Sequence, residues 1–214
     1  TRTFELGLSL PSEPGQFVML WIPRLDEKPF CVAGDDPLTL TIRRVGPLTE
    51  TLFGYRPGDR VWIRGPLGKG FSVTGRRALL VGGGYGAAPL GFLCRRAAQA
   101  GVEAVLASGA RSAPDLLVPA SARSWASEVH TATEDGSAGF HGRVTELAAR
   151  LLGQDRYDCL YACGPNAMLE AAADLAREAG IAAELSFERY MRCGIGICGS
   201  CEHGGSLVCS DGPV

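Results

Sequence analysis

Several features are missing from this sequence of 214 residues, and each absence removes a class of function. There is no basic run. The 21 Lys and Arg against 23 Asp and Glu leave a formal net charge of −2. A chain without a cationic stretch is a poor match for a phosphate backbone, so nucleic acid is not expected as a partner. There is no apolar run of membrane length. The longest nearly uncharged stretch, ALLVGGGYGAAPLGFLC at 78–94, is short for a span and holds five glycines and a proline. It reads as a strand, a loop and a helix start, so no membrane association is expected. The first residues, TRTFELGLSL, carry no basic segment followed by a long apolar one. No export signal is therefore expected. Internal repeats and low-complexity tracts are absent too.

What is present is cysteine, concentrated in one place. Eight cysteines without an export signal argue for a reducing compartment, the cytoplasm, and against a disulfide framework. Cys31, Cys94, Cys159 and Cys163 are scattered through apolar segments, where small buried thiols are common. The other four are spaced Cys193-x4-Cys198-x2-Cys201-x7-Cys209. The first three match the plant-type [2Fe–2S] spacing, which has a more distant fourth cysteine. Gly194, Gly196 and Gly199 lie among them, so backbone N–H groups can turn toward the sulfurs without side-chain clashes. Structural zinc is the rival, in a non-catalytic assembly subunit. Zinc ribbons, however, usually present two C-x2-C knuckles, and this chain has one. His203 falls between two of the cysteines. Four thiolates already complete a ligand set, so a solvent-side position is expected for it.

The chain reads as multidomain, in three stretches. Residues 1–75 hold β-rich runs at 15–23, 38–45 and 60–65, with a short helix at 47–55, and suggest a small antiparallel β-barrel. Residues 76–187 alternate strands (RALLVGGG, VEAVLASGA, YDCLYACG, IAAELSFE) with helical patterns at 88–101, 143–153 and 166–180. Gly153 is expected to close the second of these helices. Such alternation predicts an α/β domain with a parallel sheet and helices on both faces. The stretch 111–142 gives no clear pattern. Residues 188–214 carry seven glycines or prolines and four cysteines without periodicity. That segment needs a bound centre to organise it.

Two motifs in the second stretch suit a nucleotide. In VGGGYGAAP, Gly82-x-Gly84-x-x-Ala87 follows a strand and opens a helix, with Gly83 and Gly86 in the same loop. That arrangement fits the G-x-G-x-x-G/A pattern in its required context: backbone can approach a pyrophosphate, and a helix N-terminus faces it. The acidic ribose ligand expected after the second strand is missing, and Arg111 stands there instead. In CGPNAM, Cys163, Gly164 and Pro165 lie at a strand end running into a helix, the edge of a parallel sheet where ligands bind.

With these residues in view the chain resembles the ferredoxin–NADP reductase superfamily. Its C-terminal SFERYMRCGIGICGSC…CSDGPV looks like that of the electron-transfer subunits of NAD-dependent dihydroorotate dehydrogenases. The resemblance implies FAD and a [2Fe–2S] cluster as cofactors and NAD(H) as co-substrate. It implies an FMN-containing catalytic subunit as partner, in a heterotetramer, with the substrate chemistry of pyrimidine biosynthesis in that partner. No catalytic acid or base is then needed in this chain. The flavin motif maps onto Lys28-Pro29-Phe30-Cys31, the flavin pyrophosphate turn onto Gly46–Thr49, and the segment closing the barrel onto GPLGKGF from Gly65. Cys193, Cys198, Cys201 and Cys209 become the cluster ligands. Three positions depart from the pattern. Lys28 stands in place of an arginine, Cys31 in place of a hydroxyl residue and Leu48 in place of a glycine. The same module resembles subunits of sulfhydrogenases and ferredoxin–NADP transhydrogenases, which would leave the cofactors unchanged and replace the partner.

Overall fold

The computed structural model describes all residues 1–214 and divides into two compact units. The first contains residues 1–70 and 189–213; the second contains residues 71–188 with Val214.

In the first unit the strands are β1 (Arg2–Glu5), β2 (Phe17–Ile22), β3 (Asp26–Asp35), β4 (Leu38–Ile42) and β5 (Trp62–Leu67), with helix α1 at Pro47–Phe53. They form one antiparallel sheet in the order β1-β4-β3-β2-β5. Register shifts at Phe17/Met19 and Val32/Gly34 bend it, as bulges do in barrel-type sheets. Strand β2 is buried on both faces, with only Trp21 exposed. Its alternation explains why. Phe17 and Met19 point to one side, where they pack with Met191, Val208, Cys201 and Cys209 of the C-terminal segment. Val18, Leu20 and Ile22 point to the other side and are buried as well. The cysteine-bearing segment is therefore seated on apolar side chains of the sheet.

The second unit contains β6 (Arg77–Gly83), α2 (Ala87–Gln99), β7 (Glu103–Ala110), α3 (Ala120–Trp125), β8 (Glu128–Thr133), β9 (Phe140–His141), α4 (Val144–Gln154), β10 (Cys159–Cys163), α5 (Asn166–Ala179) and β11 (Ala182–Ser186). The sheet is parallel throughout, in the order β11-β10-β6-β7-β8-β9. Leu79 and Val81 of β6 pack with Leu147 and Leu151 of α4 and Leu169 of α5. Leu80, one step out of phase, packs with Leu90 and Leu93 of α2. Both faces are thus covered, which is why these strands read as near-continuous apolar runs. Helix α5 ends at Gly180, in the left-handed conformation at φ 66°. Helix α4 runs through Gly153 and stops where Asp155 turns extended, so Gly153 does not close it. The stretch 111–142 holds α3, β8 and the two-residue β9. No helix is long and apolar enough to cross a membrane.

Tyr161 at the centre of β10 locks the start of this unit. Its hydroxyl donates to the Ser72 carbonyl at 2.7 Å and accepts from the Thr74 N–H at 3.1 Å. Its ring meets Phe71 edge-on at 5.6 Å. Burial pushes the phenol up to about 12. Because this folded value lies above the unfolded one, the hydroxyl's contribution is complete below about pH 10 and is lost as pH rises toward 12. Tyr161→Phe is expected to lower stability by about 1–3 kcal/mol at pH 7, since two backbone groups lose their partner. The melting-temperature gap between wild type and variant should narrow as pH rises through that alkaline window.

Candidate redox and nucleotide sites

The four C-terminal cysteines are brought together by two local devices. The short strands β12 (Glu202–His203) and β13 (Ser206–Leu207) form a hairpin. It places Cys201 and Cys209 side by side, and the Cys209 N–H donates to Cys201 Sγ at 3.4 Å. The loop from Cys193 to Cys198 curls around its first sulfur. The N–H groups of Ile195, Ile197 and Cys198 donate to Cys193 Sγ at 3.5, 3.4 and 3.4 Å. The Gly196 N–H, facing the other way, donates to Cys209 Sγ at 3.2 Å. Gly194 makes the curl possible. It sits at φ 69°, and a Cβ there would lie 3.1 Å from Met19 Cγ and 3.3 Å from Leu67 Cδ1. Left-handed backbone and close seating on the sheet both require glycine.

This environment favours the thiolate at Cys193 and Cys198 and the thiol at Cys209. The Ile195 amide, with those of Cys198 and Ile197, holds Cys193 below the ordinary cysteine value. The Ser200 hydroxyl is the main cause that brings Cys198 down to about 6. Burial, with the neighbouring Cys201 thiol, pushes Cys209 up to about 11. Cys198 is exposed and Cys193 half-buried, whereas Cys201 and Cys209 are buried.

The donor set fits a binuclear centre better than a single ion. A structural zinc ribbon brings two C-x2-C knuckles to one ion, and this chain has one. The sulfurs arrive instead as two neighbouring pairs, Cys193 with Cys198 and Cys201 with Cys209. Two thiolates for each of two irons, with backbone N–H groups directed at three of the four sulfurs, is the arrangement a [2Fe–2S] cluster requires. His203 is exposed, and its ring lies against the Arg189 guanidinium.

The nucleotide motifs meet at the C-terminal edge of the parallel sheet. Strand β6 runs through Gly82 and Gly83 into a short 3-10 turn, Gly84–Gly86, and then into α2 from Ala87. Strand β10 pairs directly with β6, Cys163 opposite Gly82, and leads through Gly164 and Pro165 into α5. Pro165 is the residue before the helix, in extended backbone. Between β6 and β10 the strand order reverses, the position at which open α/β sheets bind ligands. Gly86 is ordinary helical backbone, but a Cβ there would lie 2.5 Å from the Cys163 carbonyl oxygen. Beside Gly84 the space is open. The two loops therefore press together under an uncovered backbone cradle. Tyr85, between these glycines, donates to Glu188 Oε2 at 3.1 Å.

The flavin motif of the sequence lies on β3. Lys28 through Cys31 are half-buried and face β2, in register from Leu20 to Phe17. The Lys28 ammonium is already engaged, 2.8 Å from Asp26 Oδ2 and 5.7 Å from the centre of the Tyr190 ring. At the other motif, the Thr49 hydroxyl accepts from the Val45 and Gly46 N–H groups and donates to the Gly46 carbonyl. Pro47 has no N–H and the Glu50 N–H donates to the Gly46 carbonyl, so within the first turn of α1 the Leu48 and Thr49 N–H groups are the ones that lack a helical acceptor, and the space beside Gly46 is open. Leu48 is buried, which accounts for an apolar side chain there. Gly65 lies within β5.

The sequence reading missed the ion pair of Arg64 on β5 with Glu27 on β3, at 3.3 and 3.1 Å, and the bond from Arg64 Nη2 to the Cys193 carbonyl at 2.8 Å. No local signal announces it, because Arg64 and Cys193 are 129 residues apart.

Comparison with known proteins agrees with this geometry. The family described as the iron–sulfur cluster binding domain of dihydroorotate dehydrogenase B matches residues 188–214. The oxidoreductase NAD-binding domain matches residues 80–174. A protein of Thermococcus kodakarensis named "Probable dihydroorotate dehydrogenase B (NAD(+)), electron transfer subunit" is 41% identical over 213 residues, covering 100% of this chain and 88% of its own. One of the same name from Methanopyrus kandleri is 45% identical over 205 residues, covering 94% of this chain and 78% of its own. The chain belongs to the family of dihydroorotate dehydrogenase B electron transfer subunits. Among solved structures, this family member resembles an NADH-dependent reduced ferredoxin–NADP oxidoreductase studied for flavin-based electron bifurcation. That match has 30% identity and a TM-score of 0.83, covering 94% of this chain and 77% of the other. An Amycolatopsis cytochrome P450 reductase is similar at 26% identity and a TM-score of 0.70, over 86% of this chain and 63% of its own.

Proposed function

We propose that this chain passes electrons between NAD(H) and an FMN-containing catalytic subunit that interconverts dihydroorotate and orotate, through FAD and a [2Fe–2S] cluster that it holds itself. The observation that carries the reading is the pair of cysteine pairs, Cys193/Cys198 and Cys201/Cys209, with backbone N–H groups donating to the sulfurs. When bound, FAD exchanges a hydride with NAD(H) and single electrons with the cluster.

The residues divide the work by region: 1–75 for the flavin, 76–187 for the nicotinamide nucleotide and 188–214 for the cluster. Gly82, Gly83, Gly84, Gly86 and Ala87 let backbone N–H groups and the α2 N-terminus meet the pyrophosphate. Cys163, Gly164 and Pro165 border the nicotinamide end. Lys28, Pro29, Phe30 and Cys31 hold the flavin ring, the Gly46–Thr49 turn takes its pyrophosphate, and Gly65 keeps β5 low beside it. Lys28 offers a point charge rather than a fork, and it is shared with Asp26. Cys193, Cys198, Cys201 and Cys209 hold the irons. Near the exposed Cys198, Ile195 and Ile197 are 50% and 79% exposed. Apolar side chains of that exposure suit a face that the catalytic subunit covers and keeps dry. The eight unbridged cysteines suit the cytoplasm, and two copies of each subunit complete the assembly.

The test is an absorbance spectrum of the anaerobically purified protein before and after NADH. Flavin bands with added cluster absorption, both bleached by NADH, are expected. A colourless protein with stoichiometric zinc would sink the redox reading. Cluster bands without flavin would remove FAD and leave the cysteines' role standing.

A further inference from the structure

We propose that the Glu27–Arg64 ion pair sets the reduction potential of the centre held by the cysteines, with Arg64 as a positioning residue acting through the Cys193 carbonyl. The inference rests on the cluster reading above and adds a control element to it.

Strand β2 runs between β3 and β5, and the pair bridges it. Arg64 sits opposite Met19, and Glu27 opposite Trp21. The guanidinium places Nε 3.3 Å from Glu27 Oε1 and Nη2 3.1 Å from Glu27 Oε2. The same Nη2 donates to the Cys193 carbonyl at 2.8 Å. A fixed cation is therefore bonded to the main chain of a ligand residue, and the same Nη2 also meets its counter-charge, Glu27.

Two consequences follow. The first is geometric. The Cys193 carbonyl belongs to the peptide that enters left-handed Gly194, ahead of the three N–H groups that converge on Cys193 Sγ. Pinning that carbonyl fixes the plane from which the curl starts, and N–H groups directed at sulfur are among the main levers on an iron–sulfur potential. The second is electrostatic. One-electron reduction adds a negative charge to a centre already bearing four thiolates. The Arg64 cation favours the reduced state. The Glu27 carboxylate, bonded to the same guanidinium, favours the oxidised state. Both side chains are partly exposed, 41% for Arg64 and 31% for Glu27, so solvent weakens each effect without cancelling it.

The test uses the full chain, anaerobically purified with its bound groups. Wild type, Arg64→Gln, Arg64→Lys and Glu27→Gln are compared by redox titration, with the reduced cluster followed by electron paramagnetic resonance. At a poise equal to the wild-type midpoint, Arg64→Gln is expected to lower the reduced-to-oxidised ratio several-fold. Glu27→Gln is expected to raise it. A tenfold change in that ratio is about 59 mV for one electron. Arg64→Lys keeps the charge and loses the fork, so it should recover part of the loss. A merely structural ion pair would move both neutral variants in the same direction, and that result overturns the proposal. So does an unshifted midpoint in Arg64→Gln at full cluster content. Should Arg64→Gln fail to retain its cluster, Glu27→Gln and Arg64→Lys still decide by the signs of their shifts. A wild-type protein without a cluster overturns the underlying reading itself, and is recognised before any variant is made.

Discussion

Cys198→Ala is expected to leave the protein folded and its flavin reducible by NADH, while electron delivery to the catalytic subunit falls by about three orders of magnitude, or about 4 kcal/mol. The reason is the pairing of the sulfurs. On the proposed assignment Cys193 and Cys198 would share one iron, and alanine offers no substitute ligand. Cys198 is exposed and makes no core contact, so lost packing should cost within about 0.5 kcal/mol, and any further loss of stability, from the cluster, falls on residues 188–214. Stopped-flow reduction by NADH, read at the flavin bands, isolates the nucleotide side and should match wild type. Turnover of dihydroorotate and NAD by the reconstituted complex reads the whole route and should be lost. Turnover near wild type in this variant would show that electrons bypass the cysteines.

Gly86→Ala should produce the complementary defect. Gly86 has φ −62° and ψ −15°, a conformation open to any residue. Its cost is one of space. The added methyl would lie 2.5 Å from the Cys163 carbonyl oxygen, 2.7 Å from its carbon and 2.9 Å from Gly164 Cα, all backbone. Backbone cannot rotate away as a side chain can, so the turn before α2 must part from the end of β10. Overpacking of this kind costs about 1–3 kcal/mol. Because the two loops form the edges of the proposed nucleotide cradle, the rate of flavin reduction at low NADH should fall tenfold or more. The cluster spectrum, and reduction by dithionite, should be unchanged. Gly153→Ala is the control: it lies within α4 with nothing within 4 Å of the added atom. It should gain up to about 1 kcal/mol of stability without touching NADH. Normal NADH kinetics in Gly86→Ala would remove this loop from nucleotide binding.

Some elements were hidden from the sequence for identifiable reasons. Strand β3 contains Asp26, Glu27, Lys28, Pro29 and Gly34, residues poor in strand preference, and a proline argues against a position inside a sheet. It is a strand because β2 and β4 pair with it on both sides. Strand β1, four residues long, pairs only with β4 and has no pattern to show. In 111–142, helix α3 spans six residues and β9 two, too short for any periodicity to register. Gly153 invited a helix end that did not occur, because glycine is tolerated inside a helix when nothing else stops it. The C-terminal segment looked unable to bury enough to fold. It is seated on Phe17 and Met19 of a strand about 180 residues earlier.

By itself the sequence determined the candidates: four cysteines at cluster spacing, and a glycine loop between a strand and a helix. Both are short-range devices, in which adjacent residues carry the donors and the conformational freedom the chemistry needs. Only the tertiary structure decided how those devices are held. The assignment of sulfurs to two pairs depends on a hairpin meeting a loop. The pressing of Gly86 on Cys163 depends on β6 and β10 lying side by side. The Arg64 cation on the Cys193 carbonyl depends on the sheet of residues 1–70 receiving the last 25 residues of its unit. These are contacts between residues far apart in the chain. Their energies come from burial and charge in an assembled structure, and no local pattern encodes them.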